Sequence, residues 1–518
     1  MLKYFRFIII IDLLMLPSIK SLGLSGKGYN LEFREKNIFY IKTLDNEFNL
    51  DKNLFELSND DNYNFRLHTL RDFVFSFMNK YTKTNKLEYI NYLKKLIFQY
   101  ISKYNKIEKF DHSKKNWQWY DHAVSIRTIV LNYVLLFLRN KKFISDKEII
   151  ILETTIVRYC DLYLIDDKNY LSNNHGLYMD LALLISFKYI KHASSKKWRE
   201  IAIRRFKKNI KNLISVTEGL SLEHSSSYHI LYAKLISAFV NCDPEFSVYK
   251  LYLENFNKNF GWFFLPNYEL TLLGDSDSFL EQADKFILTG VEDVKGYQVF
   301  EKAGFGFIRL DNSYISVTNC YHNQFHKHID ECSFEWYDRN HKIIVDTGRF
   351  TYNQKERSNC SSAEAHNSVI ISHSTQSAPS GPGFIDINYE PESELFKIGL
   401  INKRHESHSI KHQRKMIYKP LENLEIWDTF FSLSDFEGKL HFHLDPSFNQ
   451  IKKINSDTME ICSSKLKILF KISDAVNLDY IESEYYPKLN IKQNNYCIVV
   501  NFKKNQRKYI LKSEFSLL

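Results

Sequence analysis

Four short runs decide the architecture: Phe305-Gly-Phe-Ile-Arg-Leu310, Tyr314-Ile-Ser-Val-Thr318, Ser333-Phe-Glu-Trp-Tyr337 and Lys342-Ile-Ile-Val-Asp346. Each is rich in β-branched and aromatic residues and is closed by a polar turn, the pattern of strands joined by tight loops. Ser368–Ile371, Glu425–Phe430, Leu440–Leu444, Lys467–Ile472 and Tyr496–Phe502 carry the pattern to the end of the chain. Strand follows strand with no helix between, so the sheets are expected to be antiparallel and to stack as a sandwich.

Upstream of Val294 the period changes. Leu70, Phe73, Val74 and Phe77 fall at the 3, 4, 7 spacing of one helical face, as do Tyr89, Tyr92, Leu93 and Leu96. Similar amphipathic blocks recur at Ala123–Leu138, Lys147–Leu164, His175–Ile190, Trp198–Leu213 and Tyr228–Val240, parted by short polar breaks such as Asp166–Lys168 and Ser194–Lys197. Helices in such close succession stack as antiparallel hairpins. No sequence repeat supports a solenoid of strict period. The expected division is a lead-in over 1–60, a helical domain over 61–295 and a β domain over 296–518.

The composition agrees. At about 150 residues per domain, 518 residues suggest two to four domains. With 44% hydrophobic and 25% charged residues, few Gly and Pro, and abundant Tyr and Phe, the chain is globular and neither collagen-like nor disordered. The net charge of +9 comes without a dense Lys/Arg stripe or a reader motif, which argues against a nucleic-acid partner. Two readings of that charge stand side by side: steering of an anionic substrate, or a coding bias toward Lys, Asn, Ile and Tyr.

The seven scattered cysteines form no CxxC pair, which excludes a zinc ribbon or a thioredoxin-like site; free thiols favour a reducing compartment. Lys3 and Arg6 followed by the apolar Phe7–Pro17 and the small residues of Ser18–Gly26 favour the opposite. Residues 1–26 are signal-like, although Asp12 interrupts the apolar part and no A-x-A site follows. That stretch is short of the ~20 residues a membrane span needs, and no transmembrane segment is expected. The cell envelope, periplasm or exterior is the location the leader implies; the cytoplasm is the one the cysteines imply.

Four clusters could carry chemistry. Ser172-Asn-Asn-His-Gly176 opens a helix and reads equally as an N-cap. Glu218-Gly-Leu-Ser-Leu-Glu-His-Ser-Ser-Ser-Tyr-His229 is a polar loop entering a helix near Tyr228, where packing or capping is the bland alternative. In Asn323-Gln-Phe-His-Lys-His-Ile-Asp-Glu331 an extended backbone would put His326, His328 and Asp330 on one face, unless the run is only a polar edge strand. Asp346 ends one strand and His366 begins another; with His328 they would make a nitrogen and oxygen set suited to zinc, or else they are turn and strand-edge residues.

Together these clusters resemble the heparinase II/III family of polysaccharide lyases. The resemblance rests on Asn173-Asn-His-Gly176, the Glu/Ser-rich loop into Tyr228-His229, Leu272-Leu-Gly-Asp-Ser-Asp277, His326-Lys-His-Ile-Asp330, Ile343-Ile-Val-Asp-Thr-Gly348 and Ala365-His-Asn-Ser368, spanning Trp117 to Asp445. It implies an incomplete (α/α) toroid of helical hairpins followed by a C-terminal antiparallel β-sandwich. It also implies β-elimination on an acidic polysaccharide containing uronic acid, through a carbon–oxygen lyase reaction.

In that scheme Asn174 and His175 neutralise the uronate carboxylate, Tyr228 serves as base, acid or both, and His326 is its partner. His328, Asp346 and His366 hold a structural zinc beside His326, and Asp330 orients a histidine ligand. Trp119 and Arg127 line the sugar cleft, whereas Glu223 and His224 stabilise their loop rather than act in catalysis. Tyr178 and Met179 depart from relatives with a further polar residue there, which bears on substrate choice. Two other functions compete: a glycan-binding or surface-polysaccharide assembly protein without turnover, and a zinc hydrolase built on His326-x-His-x-Asp330. The hydrolase requires βα alternation around that motif, which the strand-to-strand pattern lacks.

Overall fold

The computed structural model describes residues 31–518 apart from 36, 43, 53–54, 105–115, 279–286, 323–325, 352–353 and 372–380. The signal-like segment and the first three residues of the third cluster lie outside the described residues. The chain forms two compact units: residues 31–213, 231–253 and 287–289 make one, and residues 214–230, 254–278 and 290–518 make the other.

The first unit opens on a three-stranded antiparallel meander, Leu31–Glu35, Ile38–Ile41 and Asn46–Asn49, where the sequence offered only a lead-in. Its strands are four or five residues long, too short to show a clear alternation; aromatic packing places them. Phe39 meets Phe77 edge-on at 5.0 Å, and Phe48 meets Phe73 at 4.8 Å. Helices follow at Asp61–Thr69, Arg71–Thr84, Glu88–Tyr104, Asp121–Asn140, Asp146–Tyr159, Asn174–Tyr189 and Ser195–Asn209. Short links fold Arg71–Thr84 onto Glu88–Tyr104, Asp121–Asn140 onto Asp146–Tyr159 and Asn174–Tyr189 onto Ser195–Asn209 as hairpins. Ser145 and Glu148 close a reciprocal capping box at the start of Asp146–Tyr159.

Asn174–Tyr189 packs against both Asp121–Asn140 and Ser195–Asn209, and its buried residues run almost without a break from Gly176 to Ser186. A helix apolar on every side belongs in the middle of a core. Asp121–Asn140 is long and apolar enough to cross a membrane by composition, contrary to the expectation that no segment would be. Most of that stretch (83%) is buried inside the protein, as in a core helix.

The second unit is built on antiparallel sheets. Five strands run in the order His341–Ile344, Ser333–Asp338, Tyr314–Thr318, Phe305–Arg309, Gly296–Phe300. Four more run Val369–Ile371, Phe436–His443, Ile491–Lys504, Asn477–Lys488. An eight-stranded sheet runs Phe384–Glu390, Leu395–Asn402, Lys411–Lys419, Asn423–Phe431, Lys508–Leu517, Lys467–Ser473, Thr458–Cys462, Gln450–Lys453. Inward residues from all three sheets, among them Trp336, Phe442, Ile498, Met416, Ile426 and Phe515, form one hydrophobic core. The fold class is therefore the expected one, helices and then an antiparallel β-sandwich. The sequence reading passed over Phe384–Glu390, Leu395–Asn402 and Lys411–Lys419, whose outward positions carry Asp386, Lys397, Lys411 and Lys415 among the apolar residues.

All seven cysteines are free, and every one except Cys462 is buried. His229 is buried too; its Nδ1 accepts the Ser221 N–H at 3.0 Å, so the ring is neutral, and burial holds its pKa at about 3 against 6.5 when unfolded. Between those values the unfolded chain binds a proton that the folded chain does not. The associated stability is present in full above pH 6.5 and is lost as pH falls toward 3. Urea unfolding across pH 4–7 is expected to show that loss, with a slope smaller by about one proton in His229→Gln.

Candidate active site

Three elements of the second unit are stitched together where the motifs meet. Ser226 N–H donates to Leu273 O at 3.3 Å, the Ser225 hydroxyl donates to Asp275 O at 2.9 Å, and Asp277 N–H donates to Ser227 Oγ at 3.2 Å. The serine run thus binds the Leu272–Asp277 motif through hydroxyls and main chain. Gly274 sits at φ +58°, and a Cβ there would lie 2.2 Å from His224 O and 2.9 Å from His326 O. Only glycine tolerates both that backbone and that closeness. The loop carrying Glu223 and His224 and the loop carrying His326 therefore converge on one glycine.

From this junction Tyr228, in the first turn of the helix Ser226–Cys242, lays its ring parallel to that of His326, with centroids 3.5 Å apart and planes at 24°. His326 Nδ1 lies 2.7 Å from Glu223 Oε2, whose side chain is fully buried, while the imidazole remains partly exposed. The contact to Glu223 fixes the ring orientation and leaves Nε2 for other partners. Glu223 is thus a direct partner of His326, a contact the sequence did not show. His224 does serve its loop: its Nε2 accepts His322 N–H at 2.9 Å.

The motif around His326 is no strand. His326 has φ +55°, and its side chain parts company with that of His328. His328 turns to Asp275, Nε2 to Oδ1 at 2.9 Å, and Asp330 turns to Lys327. The expected single face is corrected accordingly: the loop distributes its residues among different partners. The carboxylate that orients a candidate histidine ligand is Asp275 and not Asp330, a role the sequence signalled only through the Leu272–Asp277 motif. Burial opposes its ionisation, but the His328 hydrogen bond and Arg357 hold the Asp275 carboxyl far below the usual range.

His328, Asp346 and His366 do meet. One ligand atom from each lies within 4.8 Å of the others, all three are buried, and His366 Nδ1 is 2.8 Å from Asp346 Oδ2. His328 Nδ1 and His366 Nε2 are buried without a hydrogen-bond partner. Orphaned imidazole nitrogens beside a carboxylate are the donor set a divalent cation such as zinc fits.

In the first unit, Asn174 and His175 open the helix Asn174–Tyr189, and the Asn173 side chain caps it by accepting the His175 N–H at 2.9 Å. Gly176 is required beside them, since a Cβ would fall 2.0 Å from Leu171 O and 2.7 Å from the Tyr170 ring. His175 Nδ1 lies 3.1 Å from Asp121 Oδ2, and its ring stacks on His122 at 4.3 Å. Asn174 Oδ1, Asp121 Oδ1 and His122 Nε2 are buried without partners. Asp121 and His122 escaped the sequence reading, although they directly follow Trp117-Gln-Trp-Tyr120.

Trp119 and Arg127 are corrected. Arg127 is 1% exposed, donates to His68 O at 2.6 Å and Gln118 O at 2.5 Å, and lies between the rings of Tyr100 and Tyr159. Its guanidinium holds the core together and is not available to a sugar. Trp119 is buried edge-on against Tyr159 at 5.5 Å.

A family model, heparinase II/III-like, C-terminal, matches residues 292–512. This stretch is a heparinase II/III-like C-terminal domain. Among solved structures, heparinase III aligns over 97% of this chain and 84% of its own, with TM-score 0.73 at 15% identity. A heparan sulfate lyase from Pedobacter heparinus aligns over 91% of this chain and 79% of its own, with TM-score 0.64 at 17% identity. At such identities the likeness is one of fold, and it extends from the heparinase-like domain through the helices before it. A search of curated proteins finds no match. His326, His328, Asp346 and His366 all lie within the heparinase-like domain, whereas Asn174, His175, Glu223 and Tyr228 precede it.

Proposed function

We propose that this chain is a polysaccharide lyase that cleaves a uronic-acid-containing acidic polymer by β-elimination. The observation that carries the reading is the Tyr228–His326 ring pair backed by buried Glu223. A base must take the C5 proton of the uronate while the C4 oxygen leaves. That proton is weakly acidic as long as the carboxylate bears its charge, so donors must neutralise the carboxylate and stabilise the enolate-like intermediate. Asn174 and His175 are assigned that role, their amide and imidazole N–H groups both being donors to carboxylate oxygens.

An isolated phenol ionises near pH ~10, so Tyr228 needs a neighbour to exchange protons near neutrality, and His326 is that neighbour. Glu223 holds the His326 ring in register. His328, Asp346 and His366 would hold zinc, whose charge would lock the loop presenting His326. A polymer of this kind is anionic, in keeping with the net charge of +9. The cell envelope, periplasm or exterior, where such polymers are met, is the proposed place of action.

The test is an ultraviolet assay for unsaturated uronate ends across glycosaminoglycans, alginate and bacterial uronate-containing polysaccharides. Absorbance is expected to rise on at least one acidic polymer and on no neutral one. Tight binding of an acidic polymer with no absorbance rise on any would replace the lyase reading with that of a glycan-binding protein.

A further inference from the structure

Two histidines and a cysteine unused by the site above share one sheet face. On the strand Phe436–His443, His441 and His443 are two residues apart and so project the same way. Across the ladder His443 is opposite Cys497 and His441 is opposite Val499. Directly opposed residues stand about 5 Å apart at Cβ, which brings the cysteine within reach of the nearer imidazole. All three are buried, and one potential ligand atom from each lies within 4.8 Å of the others.

A single acceptor fixes both ring tautomers. The Glu364 carbonyl oxygen receives His441 Nδ1–H at 3.0 Å and His443 Nε2–H at 2.8 Å. A carbonyl cannot donate, so each neutral ring keeps one nitrogen lone pair, on His441 Nε2 and on His443 Nδ1, the latter accepting the Ser483 hydroxyl at 3.3 Å. The face is reachable: His441 and His443 line a cavity of about 580 Å³ together with Glu364, Ser483 and Glu484.

We infer that His441, His443 and Cys497 form a second transition-metal site, distinct from His328–Asp346–His366 and defined by its sulfur donor. Two imidazoles and a thiolate suit zinc, with a water from the cavity completing a tetrahedron. On binding, the Cys497 S–H bond breaks, the proton leaves to solvent and a metal–sulfur bond forms. The charge of the ion drives that ionisation, so affinity rises with pH. The strand is already tied beside the first set: His443 N–H donates to Asn367 Oδ1 at 2.7 Å and His441 N–H to Ser368 O at 3.3 Å. An ion here would brace the segment that follows His366.

Cobalt(II) titration of metal-stripped protein tests this, because only a sulfur ligand gives a thiolate-to-cobalt charge-transfer band. Two equivalents per chain are expected, one of them developing that band. Cys497→Ser should lose the band and one equivalent while keeping its near-ultraviolet circular dichroism. A His328→Ala, His366→Ala double variant should lose the other equivalent and keep the band. If Cys497→Ser does not fold, His441→Ala, at the cavity wall, should weaken cobalt binding at the banded site at least tenfold. Saturation of the wild type without a charge-transfer band, or a band that survives Cys497→Ser, overturns the inference.

Discussion

Tyr228→Phe is expected to abolish turnover on whichever acidic polymer the wild type degrades, a loss on the order of 10²–10⁴-fold in kcat, the usual size of a general acid–base contribution. The substitution removes one oxygen and leaves the ring, so stacking on His326 at 3.5 Å survives and the helix entry stitched by Ser225–Ser227 is undisturbed. Polymer affinity and melting temperature should therefore stay near wild type while kcat collapses. A Phe variant that kept more than a tenth of the rate would transfer the proton-transfer role to His326. Glu223→Gln gives a milder companion result. It keeps a hydrogen-bond acceptor for the imidazole but removes the charge, so it should shift the pH–rate profile more than it changes KM.

The largest effect on stability is expected from Asp428→Ala. Asp428 accepts from His412 Nε2 at 2.7 Å and from Arg414 Nε at 2.8 Å and Nη2 at 3.1 Å, and none of the three side chains is exposed. Burial opposes its ionisation, yet Arg414 and the His412 hydrogen bond hold its pKa at about 2. Removing the carboxylate strands the Arg414 cation inside the sandwich, where breaking one side of a buried pair costs about 3–5 kcal/mol. Arg414 Nη1 also bridges Cys332 O and Asn367 O at 2.7 Å each, next to the segments bearing His328 and His366. Asp428→Ala should thus lower the urea midpoint strongly and weaken metal binding at His328–Asp346–His366 in the same experiment. A loss below ~1 kcal/mol would mean that water reaches Arg414.

The sequence by itself determined the order of the architecture, because the two hydrophobic periods are local properties. Apolar spacing around Phe73–Phe77 marks a helix, and the β-branched runs at Tyr314–Thr318 and Lys342–Ile344 mark strands. It also marked candidate site residues that lie in unusual clusters, such as Asn174, His175, Tyr228, His326 and His366. Tertiary structure decided which of them act on one another. His326 and His328 look equivalent in a line of text, yet a residue at φ +55° sends one to Tyr228 and Glu223 and the other to Asp275.

Arg127 reads as a sugar ligand until it is found between two tyrosine rings with Nη1 and Nη2 each donating to a carbonyl. The strand Phe436–His443 likewise pairs with Ile491–Lys504 across about fifty residues of chain, so nothing in the local pattern could set Cys497 opposite His443. Periodicity records which side of an element faces the core. The partner of a polar side chain is fixed by backbone turns and strand register, and these exist only once distant segments have packed.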